Sequence, residues 1–135
     1  MNPIDIRVIS DFVCPWCPIG EKQLEAAVRA VGSDIPVRVS YEPFELNPDM
    51  PKEGLNRREY RSRKFGSWAR SQAMDAQVTD AGQRVGVTFN YDIIEHTPNT
   101  RLAHRLTSSG SANRYGTSAG IELRSVPKTP GRLSR

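Results

Sequence analysis

A chain of 135 residues with 37% apolar and 25% charged content is long enough for one domain that buries roughly two-thirds of its unfolded surface. No stretch has the length and apolarity of a transmembrane helix, which points away from a membrane protein. The formal charge of +4 suggests a nucleic-acid partner until it is located. From Gly110 onward Arg114, Arg124, Lys128, Arg132 and Arg135 face only Glu122, so the first 109 residues are neutral, and no interleaved aromatic and basic pattern makes a recognition surface of them. Met1-Asn2-Pro3-Ile4-Asp5 does not start a basic, apolar and cleavage-site series of the secretory kind, so the expected location is cytoplasmic.

Residues 4–9 read as a strand with Ile4, Ile6 and Val8 on one face and Ile9 on the other. Apolar side chains on both faces predict an interior strand covered on each side. Cys14-Pro15-Trp16-Cys17 follows, and these are the only two cysteines. From Ile19 to Val31 the period becomes helical, with Leu24, Ala27, Val28 and Val31 as the predicted buried stripe,. Cys14 then stands at a helix N-terminus, where unpaired N–H groups and the helix dipole favour a thiolate. Cys17, one turn on, is placed to resolve a mixed disulfide formed at Cys14. Pro15 suits the first turn because it has no N–H to leave unpaired, and Trp16 is expected to face a substrate.

Other readings of the thiols compete. A structural zinc site needs four ligands, and His96 and His104 fall at no compact finger spacing. Two inert buried thiols are the other option. In a cytoplasmic chain a two-cysteine motif is better read as catalytic or redox-responsive than as a permanent disulfide.

Val37, Val39 and Tyr41 alternate with polar residues after Pro36, a second strand that completes a right-handed βαβ unit with the cysteines at the carboxyl end of its first strand. Glu42 to Asn56 is an extended linker anchored by Phe44 and Leu46. Asn56 and Glu59 make a capping box for a helix that carries Tyr60, Phe65 and Trp68,, and its basic run from Arg57 to Lys64 is expected to be solvated. Met74, Val78, Ala81 and Val85 mark a second helix that ends near Gly86, with Met74 read as core. Thr97-Pro98 is read as the cap and first position of a third helix, with Leu102, Ala103 and Leu106 on its apolar side. His104 on that helix either faces a cleft or is hydrogen-bonded at a helix seam, the second being favoured. Beyond Thr107 the composition is too polar to offset the entropy of ordering.

Ile6 to Cys17 with Pro18-Ile19-Gly20, Tyr41 to Pro48, Tyr60 to Gly66 and Thr97 to Thr100 with Ala103-His104-Arg105 resemble the DsbA-like thioredoxin-fold oxidoreductases, in particular the FrnE-type branch. The match runs over about residues 4 to 107. The resemblance implies an α/β fold, with a partial thioredoxin-like strand-helix-strand unit in residues 1–46 and an all-helical insertion in 47–107; composition adds a disordered basic tail in 108–135. It also implies that Cys14 attacks disulfides, that Cys17 resolves them, and that Pro15, Trp16 and His104 border the substrate groove. Members of the family continue into a cis-proline loop, two strands and a closing helix; Val126-Pro127 is similar to that turn only superficially, so the chain reads as C-terminally truncated, with a two-stranded sheet.

The leading reading is therefore thiol–disulfide exchange with protein thiols or disulfides as partners, and with no cofactor, metal, nucleic acid or membrane. A glutathione-dependent isomerase or transferase acting on a small aromatic substrate is the first alternative, since related kappa-class transferases and 2-hydroxychromene-2-carboxylate isomerases share the architecture, usually with serine at the position of Cys14. An inactive remnant or binding module is the second. Oligomeric state is not legible in these residues.

Overall fold

A computed structural model describes residues 2–109 and 122–125, with side chains described for residues 2–107. In chain order the elements are β1 (Ile4–Ser10), α1 (Trp16–Val31), β2 (Val37–Pro43), β3 (Leu55–Asn56), α2 (Arg57–Phe65), α3 (Trp68–Gln83), a single 3-10 turn (Tyr91–Ile93), β4 (His96–Thr97), α4 (Arg101–Ser109) and β5 (Glu122–Ser125). The strand-helix-strand core with a helical insertion is the architecture expected from the sequence.

β1 and β2 run parallel in the register Ile4↔Val37 through Ser10↔Pro43. The sheet has three strands rather than two, because β5 pairs parallel to β2, with Arg38↔Glu122 through Tyr41↔Ser125. The strand order β1-β2-β5 makes β2 central, and Val39 in its middle is 2% exposed. The expected disordered tail falls on residues 110–121 and 126–135, outside the described residues; Glu122–Ser125 within it is a strand. β1 was expected to be interior and is at the edge of the described sheet, where Ile9 is 60% exposed. Apolar residues on both faces of a strand show that both faces can be covered, not that they are.

α1 lies against the sheet through a stripe different from the one expected. Ile19 and Glu21 are buried, Leu24 and Val28 are half-buried, and Ala27 and Val31 are exposed. The inward position of Glu21 is satisfied by the Tyr41 hydroxyl of β2, which donates to its carboxylate at 2.8 Å.

The insertion corrects the sequence reading in several places. Asn56 caps α2 as expected, accepting from the Glu59 N–H at 3.1 Å. The helix ends at Gly66, whose φ of +95° is a left-handed cap that a β-carbon would disfavour. Ser67 then caps α3, so Trp68 opens α3 instead of closing α2. Val78 is buried as the stripe implied, but α3 ends at Gln83, short of Val85.

The basic run of α2 is not all solvated. Arg57 is 5% exposed and pairs with Asp75 of α3 at 2.8 Å, while Arg61 holds the other carboxylate oxygen at 3.0 Å and also bonds the buried Ser71 hydroxyl. Helix–helix packing brings α3's carboxylate to α2's inner face, and a buried guanidinium is tolerable because it is paired and hydrogen-bonded.

Phe44 and Leu46, the expected apolar anchors of the linker, are 50% and 47% exposed. The linker is held through its main chain and through the polar side chains of Glu45, paired with Arg101, and Asn47, which accepts from the Tyr60 hydroxyl, with Met50 as its buried apolar side chain. Thr97-Pro98 does not start a helix either. Thr97 pairs with Leu55 in the β3–β4 ribbon, and α4 begins at Arg101, whose N–H is met by the Asn99 side chain at 2.9 Å. Leu102 and Leu106 are 65% and 64% exposed; the side of α4 that turns inward carries His104 instead.

Candidate active site: two thiols above a buried Asp–His pair

The sheet delivers its catalytic candidates at the carboxyl end of β1. Four residues after the end of that strand the chain reaches Cys14, and the loop closes by a hydrogen bond from the Cys14 N–H to the Asp11 carbonyl at 3.2 Å. Pro15 occupies the cap position in helical conformation, with φ −73° and ψ −22°, and α1 starts at Trp16. The Cys17 N–H reaches the Cys14 carbonyl at 3.3 Å, the first turn that sets the two side chains on one side of the helix start. Both cysteines are free thiols and half-buried.

The two thiols are not equivalent. The Cys17 thiol is pushed up to about 11 by burial first, then by its hydrogen bond to the Cys14 sulfur and by the charges of Cys14 and Asp11; a hydrogen bond with the Asp11 backbone opposes these. Cys17 is thus held protonated across the physiological range. Of the other sequence candidates, Trp16 is 52% exposed and Pro15 half-buried, which leaves both open to a substrate at Cys14. Phe12, on the other side of the thiols in sequence, is 39% exposed.

His104 lies elsewhere than in an open groove. It is fully buried beneath the cysteine loop, with Nε2 at 2.9 Å from the Asp11 carboxylate and 3.0 Å from the Phe44 carbonyl. Both neighbours are acceptors, so Nε2 carries the proton and donates to both. The Phe12 ring lies against the imidazole at 4.9 Å between centroids. His104 accordingly ties α4 of the insertion to the cysteine loop and to the strand-to-linker junction, the helix-seam role favoured from sequence.

Asp11 is the residue that sequence reasoning missed. It is 3% exposed, and its second carboxylate oxygen accepts the Leu46 N–H at 2.8 Å. Burial pushes its carboxyl up, but hydrogen bonds from His104, the Leu46 N–H and Thr100, with the charge of His104, outweigh that and hold it below the usual value. The available signal was an acidic residue directly after an apolar strand and three residues before a Cys-x-x-Cys. A carboxylate there has to be either solvated at the surface or fully bonded inside, and residues 46, 100 and 104 supply the bonds.

Among the described residues no group of three or more His, Cys, Asp or Glu side chains could hold a metal ion, and His96 does not join the cysteines in one. No described helix is long and apolar enough to cross a membrane. A cavity of about 840 Å³ opens in the insertion between α2, α3 and residues 89–96; Arg57, Trp68, Asp75 and Tyr91 are among its walls, and among the described residues its lining includes neither cysteine.

The comparisons with known proteins agree with this geometry. Residues 5–114 match the DSBA-like thioredoxin domain. An uncharacterized Bacillus subtilis protein, YwbO, is 32% identical over 100 residues, covering 74% of this chain and 44% of the relative. A crystal structure of a probable DsbA oxidoreductase from Streptomyces coelicolor, SCO1869, superposes with a TM-score of 0.65 at 27% identity, over 76% of this chain and 44% of that one. The chain therefore spans less than half the length of these relatives. With its strand-helix-strand core, its Cys-x-x-Cys at the start of α1 and a family match over most of its length, the chain belongs to the DSBA-like thioredoxin domain family.

Proposed function

We propose that the chain exchanges disulfides with protein thiols, with Cys14 as nucleophile and Cys17 as resolving thiol, as in the FrnE-type branch that its sequence resembles. The observation that carries the reading is the placement of the pair: two free, half-buried thiols beyond the carboxyl end of β1, with the Cys17 N–H closing on the Cys14 carbonyl at 3.3 Å as α1 begins. Burial pushes the Cys17 thiol up, and Cys14 stands just before the first turn of α1, where unpaired backbone N–H groups favour an attacking sulfur. In the reducing direction the Cys14 thiolate attacks one sulfur of a substrate disulfide, and the other sulfur leaves as a thiolate that takes a proton from solvent. Cys17 then loses its proton and attacks Cys14, releasing the second substrate thiol and leaving a Cys14–Cys17 disulfide. Two electrons pass to the substrate. The same steps in reverse oxidise a substrate dithiol.

The test is refolding of a scrambled disulfide protein in a glutathione buffer. The wild-type chain should accelerate it, Cys14→Ser should not, and Cys17→Ser should accumulate the mixed disulfide. A glutathione-dependent isomerase or transferase would instead keep its turnover without Cys17. Activity on proteins that survives Cys14→Ser contradicts the reading.

A further inference from the structure

The outer edge of β1 is long and open. The strand runs seven residues, Ile4–Ser10, and among the described residues its sheet neighbour is β2 alone. Its main-chain polar groups alternate in direction. The Ile4 N–H donates to the Pro36 carbonyl at 2.8 Å, and the Ser10 carbonyl accepts the Phe44 N–H at 3.0 Å, so residues 4, 6, 8 and 10 turn these groups to the β2 side. Asp5, Arg7 and Ile9 turn theirs outward, which leaves a template for one more strand. The side chains at this edge are open as well, with Asp5 67% and Arg7 70% exposed.

The residues of β1 select an occupant and a register. A second β1 lying antiparallel, related by a two-fold axis through the sheet, must set outward-turned residues opposite one another to exchange main-chain bonds. With the axis at Arg7, two guanidiniums face each other; with the axis at Asp5, two carboxylates do. With the axis at Val8, Arg7 meets Ile9 and Asp5 is left without a partner. With the axis at Ile6, each Asp5 lies opposite the partner's Arg7. That register also sets Ile4 against the partner's Val8 and the two Ile6 side chains against each other, as β-branched cross-strand pairs. They lie on the sheet face that α1 covers, since Val8 is in register with Tyr41 and the Tyr41 hydroxyl bonds Glu21 of α1. On the other face Asp5 already accepts from Arg38 at 2.6 and 3.0 Å, and Arg7 donates to Glu42 at 3.2 Å. The join therefore builds two rows of alternating charge, Arg38 and Asp5 of one copy continuing into Arg7 and Glu42 of the other, which is a network where each pair alone contributes little.

We propose that the outer edge of β1 is a self-association surface, through which two copies of this chain join by antiparallel β1 strands centred on Ile6. The described sheets then run on as one, in the order β5-β2-β1-β1-β2-β5, with Asp5 and Arg7 of each copy exchanging main-chain hydrogen bonds. The cysteine loop follows the carboxyl end of β1, so the antiparallel join carries the two loops to opposite ends of the paired strands. Each copy keeps its thiols open to a substrate of its own. The inference does not depend on the thiol chemistry and stands or falls separately from it.

The experiment is sedimentation equilibrium of the full chain in excess thiol reductant, which excludes disulfide-linked dimers. The wild type should show a reversible monomer–dimer equilibrium. Arg7→Asp sets a carboxylate opposite Asp5, and Asp5→Arg sets a guanidinium opposite Arg7; by symmetry each change acts twice, so each variant alone should dimerise at least ~10-fold more weakly. An equimolar mixture of the two variants restores opposite charges at both positions and should regain the dimer. A wild type that stays monomeric, a dimer that either variant retains, or a mixture no tighter than its components overturns the proposal. If a variant fails to fold, amide hydrogen exchange of the wild type decides. The Ile6 and Val8 N–H groups should be protected at every concentration, those of Asp5 and Arg7 increasingly as concentration rises. Asp5 and Arg7 amides that exchange freely throughout overturn the proposal, and so does protection independent of concentration, which would mean that another stretch of the same chain covers the edge.

Discussion

Replacing His104 by alanine tests how the insertion is fastened to the redox loop. His104 is fully buried and donates through one nitrogen to the Asp11 carboxylate and the Phe44 carbonyl. Without it a carboxylate that is 3% exposed keeps the Leu46 N–H but loses the imidazole donor, and a carbonyl loses its donor. Leaving a buried carboxylate short of a hydrogen bond costs about 1–3 kcal/mol, a sizeable share of the roughly 5–15 kcal/mol that holds a domain folded. For comparison, the Arg84–Asp80 pair has side chains 75% and 64% exposed, and Arg84→Ala should cost less than about 0.5 kcal/mol. Urea unfolding at pH 7 measures both. In an Asp11→Asn background no charge is stranded, so the cost of His104→Ala should shrink there by at least ~1 kcal/mol. The pH dependence has a definite sign: Asp11 is held below its unfolded value of 3.8, so its stabilisation is present above 3.8 and is lost as pH falls through the folded value. His104→Ala should therefore begin its acid unfolding at higher pH than wild type. A cost below about 1 kcal/mol, or an equal cost in both backgrounds, would refute the reasoning.

Three further outcomes follow from two features. At pH 8 the reduced chain should take up one equivalent of iodoacetamide quickly and the second only as pH approaches about 11, because Cys17 is held protonated until then; mass spectrometry of the peptides reads which thiol reacted, and early labelling of Cys17 would contradict the assignment. Since that thiol sits above its unfolded value of 9.0, its contribution to stability is complete below pH 9 and is lost between there and about 11, visible as a urea midpoint falling over that window in wild type and less in Cys17→Ala. Gly54→Ala should destabilise by about 2 kcal/mol or more, since φ is +79° and a β-carbon would lie 2.6 Å from the Thr97 carbonyl; an unchanged urea midpoint would mean the β3–β4 ribbon does not hold the linker.

The parts of the fold that the sequence revealed are those encoded by local pattern. The alternation of Val37, Val39 and Tyr41 and the Cys-x-x-Cys before a helical period located the core and its site, and Asn56 and Glu59 located a helix start, because each signal resides within a few residues. Signals that depend on what lies across the interface misled. Leu102 and Leu106 look like a buried face, yet α4 turns His104 inward because Asp11 is there to bind it, 93 residues away in the chain. Arg57 reads as solvated until α3 brings Asp75 to it. Glu21 occupies an inward position of α1 only because the Tyr41 hydroxyl meets it. Buried polar pairs are written in two distant places at once, and a single-residue reading sees half of each. β5 was missed for a related reason: four residues in a polar stretch have too little apolar pattern to announce a strand, and the ladder with β2 supplies what the side chains do not.

The most direct test of the central claim is to trap the exchange intermediate. The Cys17→Ser chain is mixed with a peptide disulfide, quenched in acid and digested, and the peptide-bearing cysteine is identified by mass spectrometry; a Cys14→Ser chain is treated in parallel. The expected result is a mixed disulfide at Cys14 that forms far faster in buffer than in denaturant, with the Cys14→Ser chain, whose remaining thiol is held protonated, reacting far more slowly than the Cys17→Ser chain. Equal rates in buffer and denaturant, or faster capture at Cys17 in the parallel chain, would contradict the assignment of Cys14 as the nucleophile prepared by this fold.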